Sequence, residues 1–455
     1  MTLIRASHAL LPSGWARDVA VEIDDATGCI ARVTPGAAPA GHRTGILLPA
    51  PANAHSHAFQ RAMAGLTETR GPDPEDTFWT WRRLMYRFLD RLTPEQVQAI
   101  AAQVQMEMLE AGYATNVEFH YLHHQPDGTP YDDIAEMAAR IVEAAGETGI
   151  GLTLLPVQYE FGGTDRRPLG PGQIRFGNPP ERFARLVEAS RAALAALPPD
   201  ARLGVAPHSL RAVAPQALRD AVALAQGGPV HMHLAEQQAE VDEVQAAYGA
   251  RPVEWLLDHA PVGDEWCLIH CTQMQPYETQ ALARSGAVAG LCPITESNLG
   301  DGIFDGQRWM AAGGRIAVGS DSNIRIALAE ELRTLDYSQR LRDRCRAALA
   351  TPDQSTGRRV FAAVTAGGAQ AAGRHSGQIA PGFLADLMAL DDSHPDLAGR
   401  EGDTLLDVWI FAGDDRLVRD VWAAGRHMVR DGRHVARDGI LRRYRHALGP
   451  LGKMS

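Results

Sequence analysis

Lysine is almost absent from this chain of 455 residues. Of its 44 lysine and arginine residues, only Lys453 near the C-terminus is a lysine. Chemistries that need an interior lysine are therefore excluded. They include a pyridoxal phosphate Schiff base, a phosphate-binding P-loop and a carbamylated lysine that bridges two metal ions.

Cysteine is scarce, and long apolar runs are missing. The five cysteines form no CxxC pair, so a disulfide framework is not expected and a reducing compartment is the default. No segment approaches the roughly 18 consecutive apolar residues of a membrane span, and the N-terminus lacks the apolar core of a signal peptide. We expect a soluble, cytoplasmic protein with no membrane partner.

Positive charge is in deficit, because 44 basic residues face 55 acidic ones and the formal net charge is −11. Binding to nucleic acid needs a basic face, so a nucleic-acid partner is not expected. The 45% hydrophobic and 22% charged residues are typical of a globular chain with a sizeable core. A small molecule is the more natural partner.

Strand-like and helix-like segments alternate between about residue 47 and residue 330. The eight strand-like segments are ILLPAPANAHSH, ATNVEFHY, GLTLLPVQY, ARLGVAPHSL, PVHMHLAE, EWCLIHC, AVAGLCPIT and RIAVGSDS. Eight parallel βα units predict an α/β protein whose core is a (β/α)8 TIM-type barrel. An open doubly wound sheet is the alternative, although no GxGxxG motif follows the first strand.

The two chain ends have a different pattern, with short alternating runs separated by turn residues. We expect residues 1–46 and 376–455 to combine into one small β-sandwich domain, and residues 47–375 to form the barrel domain.

Polar residues fall at the carboxyl ends of the predicted strands, where barrel enzymes build their sites. His55 and His57 lie two apart on the first strand and face the same side, so both can reach one metal ion. His233 on the fifth strand and Asp321 after the eighth complete a set of three nitrogens and one oxygen. This set suits one Zn²⁺ with a water in an open position, and Fe²⁺ or Mn²⁺ are alternatives.

Three further polar residues lie at or near the same strand ends. Glu236 follows His233 by three residues and suits a proton shuttle, whereas His270 and Asp321 suit orienting a water and relaying its proton. We interpret His231 as an interior histidine, because it lies one pleat deeper on its strand.

These motifs resemble the amidohydrolase superfamily of metal-dependent deaminases and hydrolases. The matching segments are PANAHSH, HLAE, LIHCT, GSDS and the C-terminal stretch SGQIAPGFLADL, so the resemblance spans almost the whole chain. It implies the mononuclear metal subtype, in agreement with the missing lysine, and it suggests a homodimer.

Residues at other strand ends indicate the substrate. Two arginines and a tyrosine near a metal suit a substrate with carboxylates, because a guanidinium binds a carboxylate through two hydrogen bonds. The candidate substrate contacts are Gln60, Arg82, Tyr121, His208 and Arg211.

A longer set of motifs resembles the branch of the superfamily that deiminates a formimino group. The segments are HSHAFQRAMAGL, DTFWTWRRLMYR, EFHYLHH, HSLRAV, HLAEQQAEV, TESNLGDGIF and GSDSN. This resemblance implies zinc-dependent hydrolysis of N-formimino-L-glutamate to N-formyl-L-glutamate and ammonia, a step of histidine degradation. Pro207, Pro293, Ser297 and Asn323 depart from the expected pattern, which leaves fine substrate preference open.

Two alternatives stay open at this point. One is another deaminase of the superfamily that acts on a purine, pyrimidine or related C=N substrate and is indifferent to Arg82 and Arg211. The other is a non-catalytic relative, against which the intact metal and proton-transfer residues argue.

Overall fold

The computed structural model describes residues 1–37, 41–68, 85–86, 88–449 and 451. Within these ranges, no helix has both the length and the apolar character that crossing a membrane requires.

The described part of the chain contains seventeen strands, numbered in chain order. They are β1 Thr2–Leu11, β2 Gly14–Asp24, β3 Cys29–Thr34, β4 His42–Pro49, β5 Ala52–Ser56, β6 Thr115–His120, β7 Gly151–Gln158, β8 Arg202–Leu203, β9 Ala206–Pro207, β10 Val230–Leu234, β11 Trp266–His270, β12 Val288–Leu291, β13 Arg315–Val318, β14 Leu387–Leu390, β15 Val418–Ala423, β16 Arg426–Arg430 and β17 Arg433–His434.

The α-helices of the described residues mostly connect the central strands. They are α1 Pro94–Glu110, α2 Glu136–Thr148, α3 Pro180–Leu194, α4 Pro215–Leu224, α5 Gln238–Tyr248, α6 Pro252–His259, α7 Pro276–Ala283, α8 Pro293–Leu299, α9 Gly306–Ala311, α10 Leu328–Asp343, α11 Thr356–Ala371, α12 Thr404–Asp407 and α13 Arg437–Leu448. Several begin with proline, whose fixed φ suits the first helical position and whose missing N–H is not needed there.

Parallel strands form two central sheets, in agreement with the predicted α/β class. One sheet runs β5-β6-β7-β8, with β9 also paired to β7, and the other runs β10-β11-β12-β13. Single parallel bridges join the two sheets at both edges, between Ser56 and Asp321 and between Val205 and Val230. Each of the eight predicted strand segments contains at least one of these strands.

Two predicted segments are divided in the structure. The first is split at Pro51, so that residues up to Pro49 belong to β4 and residues from Ala52 belong to β5. The fourth becomes the short strands β8 and β9 around Gly204, where a side chain would lie 2.2 Å from the backbone oxygen of Pro229. Close backbone approach at this glycine lets the segment pass between neighbouring strands.

Strands from both chain ends form one further sheet, in the order β17-β16-β15-β14-β4-β1-β2-β3. We call it the terminal sheet. β4 pairs in parallel with β1 and antiparallel with β14, so the N-terminal and C-terminal segments meet at this strand. The two ends therefore share one sheet, and their combination into one small β-sandwich domain stays a prediction.

Candidate metal centre

The predicted metal ligands gather where the parallel strands end. His55 lies in β5 and His57 directly after it, His233 lies in β10, and Asp321 follows β13 by three residues. The backbone at these ends is unusual, because Ala235, His270 and Asp321 have φ values of 51°, 72° and 45°. Such left-handed conformations of non-glycine residues are costly and concentrate at functional sites.

Backbone hydrogen bonds fix β5 against the loop that follows β13. The N–H of Asp321 donates to the carbonyl of His55 at 2.9 Å, and the N–H of His57 donates to the carbonyl of Asp321 at 3.0 Å. Gly319 permits this approach, since a side chain there would lie 2.5 Å from the nitrogen of His55. The GSDS motif therefore places the aspartate beside both histidines.

The three histidines present their nitrogens to one point. Nε2 of His55 lies 3.1 Å from Nε2 of His233, and one ligand atom from each of His55, His57 and His233 lies within 4.8 Å of the others. Oδ1 of Asp321 lies 3.5 Å from Nε2 of His55 and 3.3 Å from Nε2 of His57. This is the four-residue set that the sequence predicts.

The protonation of these imidazoles suits metal binding. Burial lowers the pKa of His57 to about 3, and burial together with the neighbouring histidines lowers the pKa of His55 and His233 well below 6.5. Nδ1 of His57 donates to the carbonyl of Phe119 at 3.0 Å, and Nδ1 of His233 donates to the carbonyl of His208 at 3.3 Å. Since Nδ1 carries the proton in both rings, Nε2 keeps a lone pair for a cation. The donor set therefore fits a divalent metal such as zinc.

The proposed proton-transfer residues lie beside the ligands. Nε2 of His270 lies 3.8 Å from Oε1 of Glu236 and 3.9 Å from Oδ2 of Asp321. Burial alone would lower the pKa of His270, but the charge of Glu236 and a hydrogen bond to Glu296, with further help from Asp321, raise it to about 10. His270 can thus hold a proton between two carboxylates.

Glu296 is a functional candidate that the sequence analysis missed. It lies on α8, and its Oε1 accepts hydrogen bonds from Nδ1 of His270 at 3.3 Å and from the N–H of Cys292 at 2.8 Å. Glu296 therefore orients the ring of His270. A carboxylate four residues after Cys292 is a weak signal in the sequence, because it lies within the following helix and not at the strand end.

A pocket opens onto the metal ligands. Of the predicted substrate contacts, Gln60, Tyr121, His208 and Arg211 line it, together with Glu236, His270 and Asp321. Nε2 of Gln60 donates to the hydroxyl of Tyr121 at 2.7 Å, which links the first two contacts. Arg82 lies outside the described residues.

The pocket also has walls that were not predicted. They are formed by Met85, Tyr159, Phe176 and Leu299. Tyr159 directly follows β7, and its ring centroid lies 4.5 Å from that of His208, so its place at a strand end is visible in the sequence. Phe176 and Leu299 lie in connecting segments that no strand pattern marks.

Neighbouring residues have structural roles. Nε2 of His231 donates to the carbonyl of Ala371 at 2.8 Å, in agreement with an interior histidine. Cys271 and Cys292 are buried, and burial raises the pKa of both thiols, so they pack as neutral groups.

Two departures from the family pattern also have structural explanations. Asn323 donates to the carbonyl of His57 at 3.1 Å and to the hydroxyl of Ser56 at 3.2 Å, so it supports the backbone of the HxH segment. Pro293 occupies the first position of α8.

Histidines and an aspartate converging at the ends of parallel strands are typical of metal-dependent hydrolases. The Amidohydrolase family matches residues 46–428, and the chain belongs to this family. Residues 1–43 match the N-terminal domain of the formimidoylglutamate deiminase HutF.

The chain is also similar to individual proteins of this family. The chain is 51% identical over 455 residues to a formimidoylglutamate deiminase of Pseudomonas aeruginosa, which covers 99% of this chain and 100% of the relative. A crystal structure of an amidohydrolase from Brucella melitensis superposes with a TM-score of 0.94 at 47% identity, covering 99% of this chain and 100% of that chain.

A more distant structure shows the fold alone. It is an adenosine deaminase from Xanthomonas campestris with bound zinc, with a TM-score of 0.82 at 22% identity, covering 100% of this chain and 99% of that chain.

Proposed function

We propose that this chain hydrolyses N-formimino-L-glutamate to N-formyl-L-glutamate and ammonia, as a step of histidine degradation. The observation that carries the proposal is the 51% identity, over the whole chain, to a formimidoylglutamate deiminase. The pocket agrees with it, because its lining includes the cationic side chain of Arg211 as well as the metal ligands His57 and His233 and the carboxylates of Glu236 and Asp321. A small dicarboxylate with a reactive C=N group suits such a pocket.

We further propose that the two parallel sheets close into a (β/α)8 barrel of residues 47–375. The bridges Ser56–Asp321 and Val205–Val230, which join the sheets at both edges, support closure. Residues 1–46 and 376–455 then form the second domain around the terminal sheet. A cytoplasmic location and a homodimer stay predictions.

Zinc is the proposed catalytic cofactor, one ion at the pocket of each subunit, and His55, His57, His233 and Asp321 would hold it. When bound, zinc supplies Lewis acidity and lets water ionise near neutral pH. The neutral imidazoles and the single carboxylate support zinc over a metal that prefers oxygen ligands.

Proton transfer falls to this chain's own side chains. Water adds to the formimino carbon, the bond from that carbon to the terminal nitrogen breaks, and ammonia leaves. Glu236 delivers a proton to this nitrogen, and Asp321 and His270 hold and relay the proton that the water loses. The separations of 3.8 Å and 3.9 Å from Nε2 of His270 to these two carboxylates support the relay.

Remote contacts orient the substrate. Arg211 would hold a glutamate carboxylate, and Arg82 is proposed for the same role on the strength of the sequence motif. Gln60, Tyr121 and His208 complete the contacts, and binding through these groups places the formimino carbon near Glu236.

Ammonia release tests the proposal. Zinc-loaded protein is incubated with N-formimino-L-glutamate and, in parallel, with guanine, cytosine and adenosine. We expect ammonia release from the formimino compound alone. Release from a base alone would show that the chain is a deaminase with a different substrate.

A variant pair tests the substrate contact. Arg211→Met should raise KM about 10- to 100-fold, because a charged hydrogen bond is lost, and should keep its zinc. Arg219→Met, on the exposed side of α4, is the matched control and should behave as wild type.

A further inference from the structure

A second group of metal-ligating side chains lies in the terminal sheet, away from the pocket. It consists of His42 at the start of β4, Asp420 in β15 and His427 in β16. One ligand atom from each residue lies within 4.8 Å of the others. We call this group the terminal-sheet cluster.

The spacing of its atoms suits one small cation. Nε2 of His427 lies 2.8 Å from Oδ1 of Asp420, and Nε2 of His42 lies 3.6 Å from the same oxygen. Ligand atoms about 2.1 Å from a tetrahedral zinc lie roughly 3.4 Å apart, so a small adjustment would place all three around one ion. Both imidazoles offer Nε2, and both face the same carboxylate oxygen.

The carboxylate is held in place by its other oxygen. The hydroxyl of Thr44 donates to Oδ2 of Asp420 at 3.0 Å, which leaves Oδ1 directed at the histidines. Arg419 also approaches Oδ2, at 3.7 Å, while its guanidinium pairs with Asp431 at 3.0 Å. These neighbours act on the oxygen that is not offered to the cluster, as the supporting groups of metal ligands commonly do.

The rings are also restrained. The ring of His427 stacks on Trp422 with centroids 4.4 Å apart and an angle of 20°, and the rings of His42 and His427 form a T-shaped pair with centroids 4.8 Å apart. Stacking limits rotation of His427, so less conformational entropy is lost when a cation binds.

Solvent can reach the cluster from one side. The side chain of Asp420 is only 3% exposed, whereas that of His42 is 44% exposed. A cation can therefore enter past His42, and a water can complete its coordination.

We propose that the terminal-sheet cluster is a second zinc site, formed by Nε2 of His42, Oδ1 of Asp420 and Nε2 of His427. Two nitrogens and one oxygen are a ligand set that zinc accepts. The site joins a strand from the N-terminal segment to two strands from the C-terminal segment. Zinc held there stabilises the terminal sheet, because a ligand that binds the folded state favours that state.

Counting zinc tests the site. The protein is stripped with a chelator, equilibrated with a slight excess of Zn²⁺ alone, dialysed briefly and analysed for metal. Wild type should retain two zinc ions per chain, and His427→Gln and His42→Gln should each retain one. His42→Gln changes a half-exposed side chain, so it keeps the test interpretable if His427→Gln folds poorly.

His446→Gln, which replaces an exposed histidine of α13, is the control and should retain two ions. Thermal unfolding gives an independent readout, since micromolar Zn²⁺ should raise the Tm of His446→Gln further than that of His42→Gln. Ammonia release from N-formimino-L-glutamate should not change in His42→Gln. Failure of the second zinc site can therefore be distinguished from failure of the proposed function. Equal zinc content in wild type and both cluster variants would overturn the proposal.

Discussion

Two buried groups of charged residues differ in how their charge is balanced. At the pocket, three carboxylates, those of Glu236, Glu296 and Asp321, lie within 4 Å of one side chain, His270. Where the terminal sheet meets the parallel sheets, two aspartates meet two arginines. Arg374 contacts Asp200 and Asp386 at 3.2 and 3.0 Å, and Arg426 contacts Asp200 at 2.8 Å.

The pKa values reflect this difference. Burial raises the pKa of Asp321 to about 7, and Glu236 and Glu296 add to the rise against the opposing charge of His270. Burial acts on Asp200 as well, but hydrogen bonds and charge from Arg426 and Arg374 hold its pKa below the usual value. We call His270 with its three carboxylates the unbalanced group, and Arg374 and Arg426 with their two aspartates the balanced group. The raised pKa of Asp321 suits proton exchange, whereas ion pairs of matched charge stabilise the structure.

The C-terminal motif SGQIAPGFLADL contributes one aspartate to the balanced group. Asp386 is the aspartate of GFLADL, and besides Arg374 it accepts a hydrogen bond from the N–H of Ala424 at 2.7 Å. The motif aspartate is therefore a junction residue that ties the chain's return from α11 to the terminal sheet.

Removing the proton donor should have the largest effect. Glu236→Gln should lower kcat for N-formimino-L-glutamate on the order of 1,000-fold, because proton transfer to the leaving nitrogen is lost. Zinc content and Tm should stay near those of wild type, since the amide keeps the shape of the side chain. Steady-state kinetics with metal analysis measure this, and a kcat within threefold of wild type would falsify the assignment of Glu236.

Removing an arginine from the balanced group should lower the free energy of unfolding and leave kcat unchanged. Arg374→Met should lower the free energy of unfolding by about 3–5 kcal/mol, because it leaves Asp200 and Asp386 buried with less compensation. Denaturant unfolding measures the loss, with Arg219→Met as the control. At a temperature where the variant is folded, kcat should equal that of wild type, and a large fall in kcat there would contradict the division between the two groups.

A buried histidine outside both groups should make the fold sensitive to acid. Nε2 of His124 donates to the carbonyl of Gly177 and to Oδ1 of Asn178, each at 3.0 Å, and burial, helped by the charge of Arg182, lowers its pKa to about 4. Between pH 6.5 and pH 4 the unfolded chain binds a proton there that the folded chain does not, so stability falls as the pH falls.

His124→Gln removes this titration and keeps a donor for the same carbonyl. The variant should lose less stability than wild type between pH 7 and pH 4, by up to about 3 kcal/mol. Unfolding curves at the two pH values measure the difference, with His446→Gln as the control. Parallel losses in His124→Gln and wild type would show that His124 is protonated in the folded protein.

Much of the central fold could be predicted, because its information is local. Apolar runs marked the central strands, and the strand-end rule placed His55, His57, His233 and Asp321 together. The pairing of strands within the terminal sheet could not be predicted from such local patterns. The parallel pairing of β1 with β4 and the meeting of β4 with β14 depend on long-range packing that leaves no periodic signal.

Two of the residues missed at the site share a physical reason. Glu296 and Leu299 lie on α8, and their position in the pocket depends on the direction in which that helix leaves β12. The segment AVAGLCPIT predicts a strand through Thr295, whereas the structure begins a helix at Pro293. The direction of this helix is set by tertiary contacts such as the hydrogen bond from the N–H of Ile294 to buried Glu331 at 2.9 Å.

Glu296 provides the finest test of the unbalanced group, because it touches His270 and is not among the proposed metal ligands. Glu296→Gln keeps an oxygen that can accept from Nδ1 of His270 and from the N–H of Cys292 but removes the charge. We expect kcat to fall about 10-fold with KM and zinc content unchanged, since weaker hydrogen bonding loosens the orientation of His270. Ser297→Ala, on the exposed side of α8, controls for disturbance of the helix and should have wild-type kinetics. A fall in kcat with the serine variant, or a rise in KM with the glutamine variant, would assign Glu296 to helix packing or substrate binding instead of the orientation of His270.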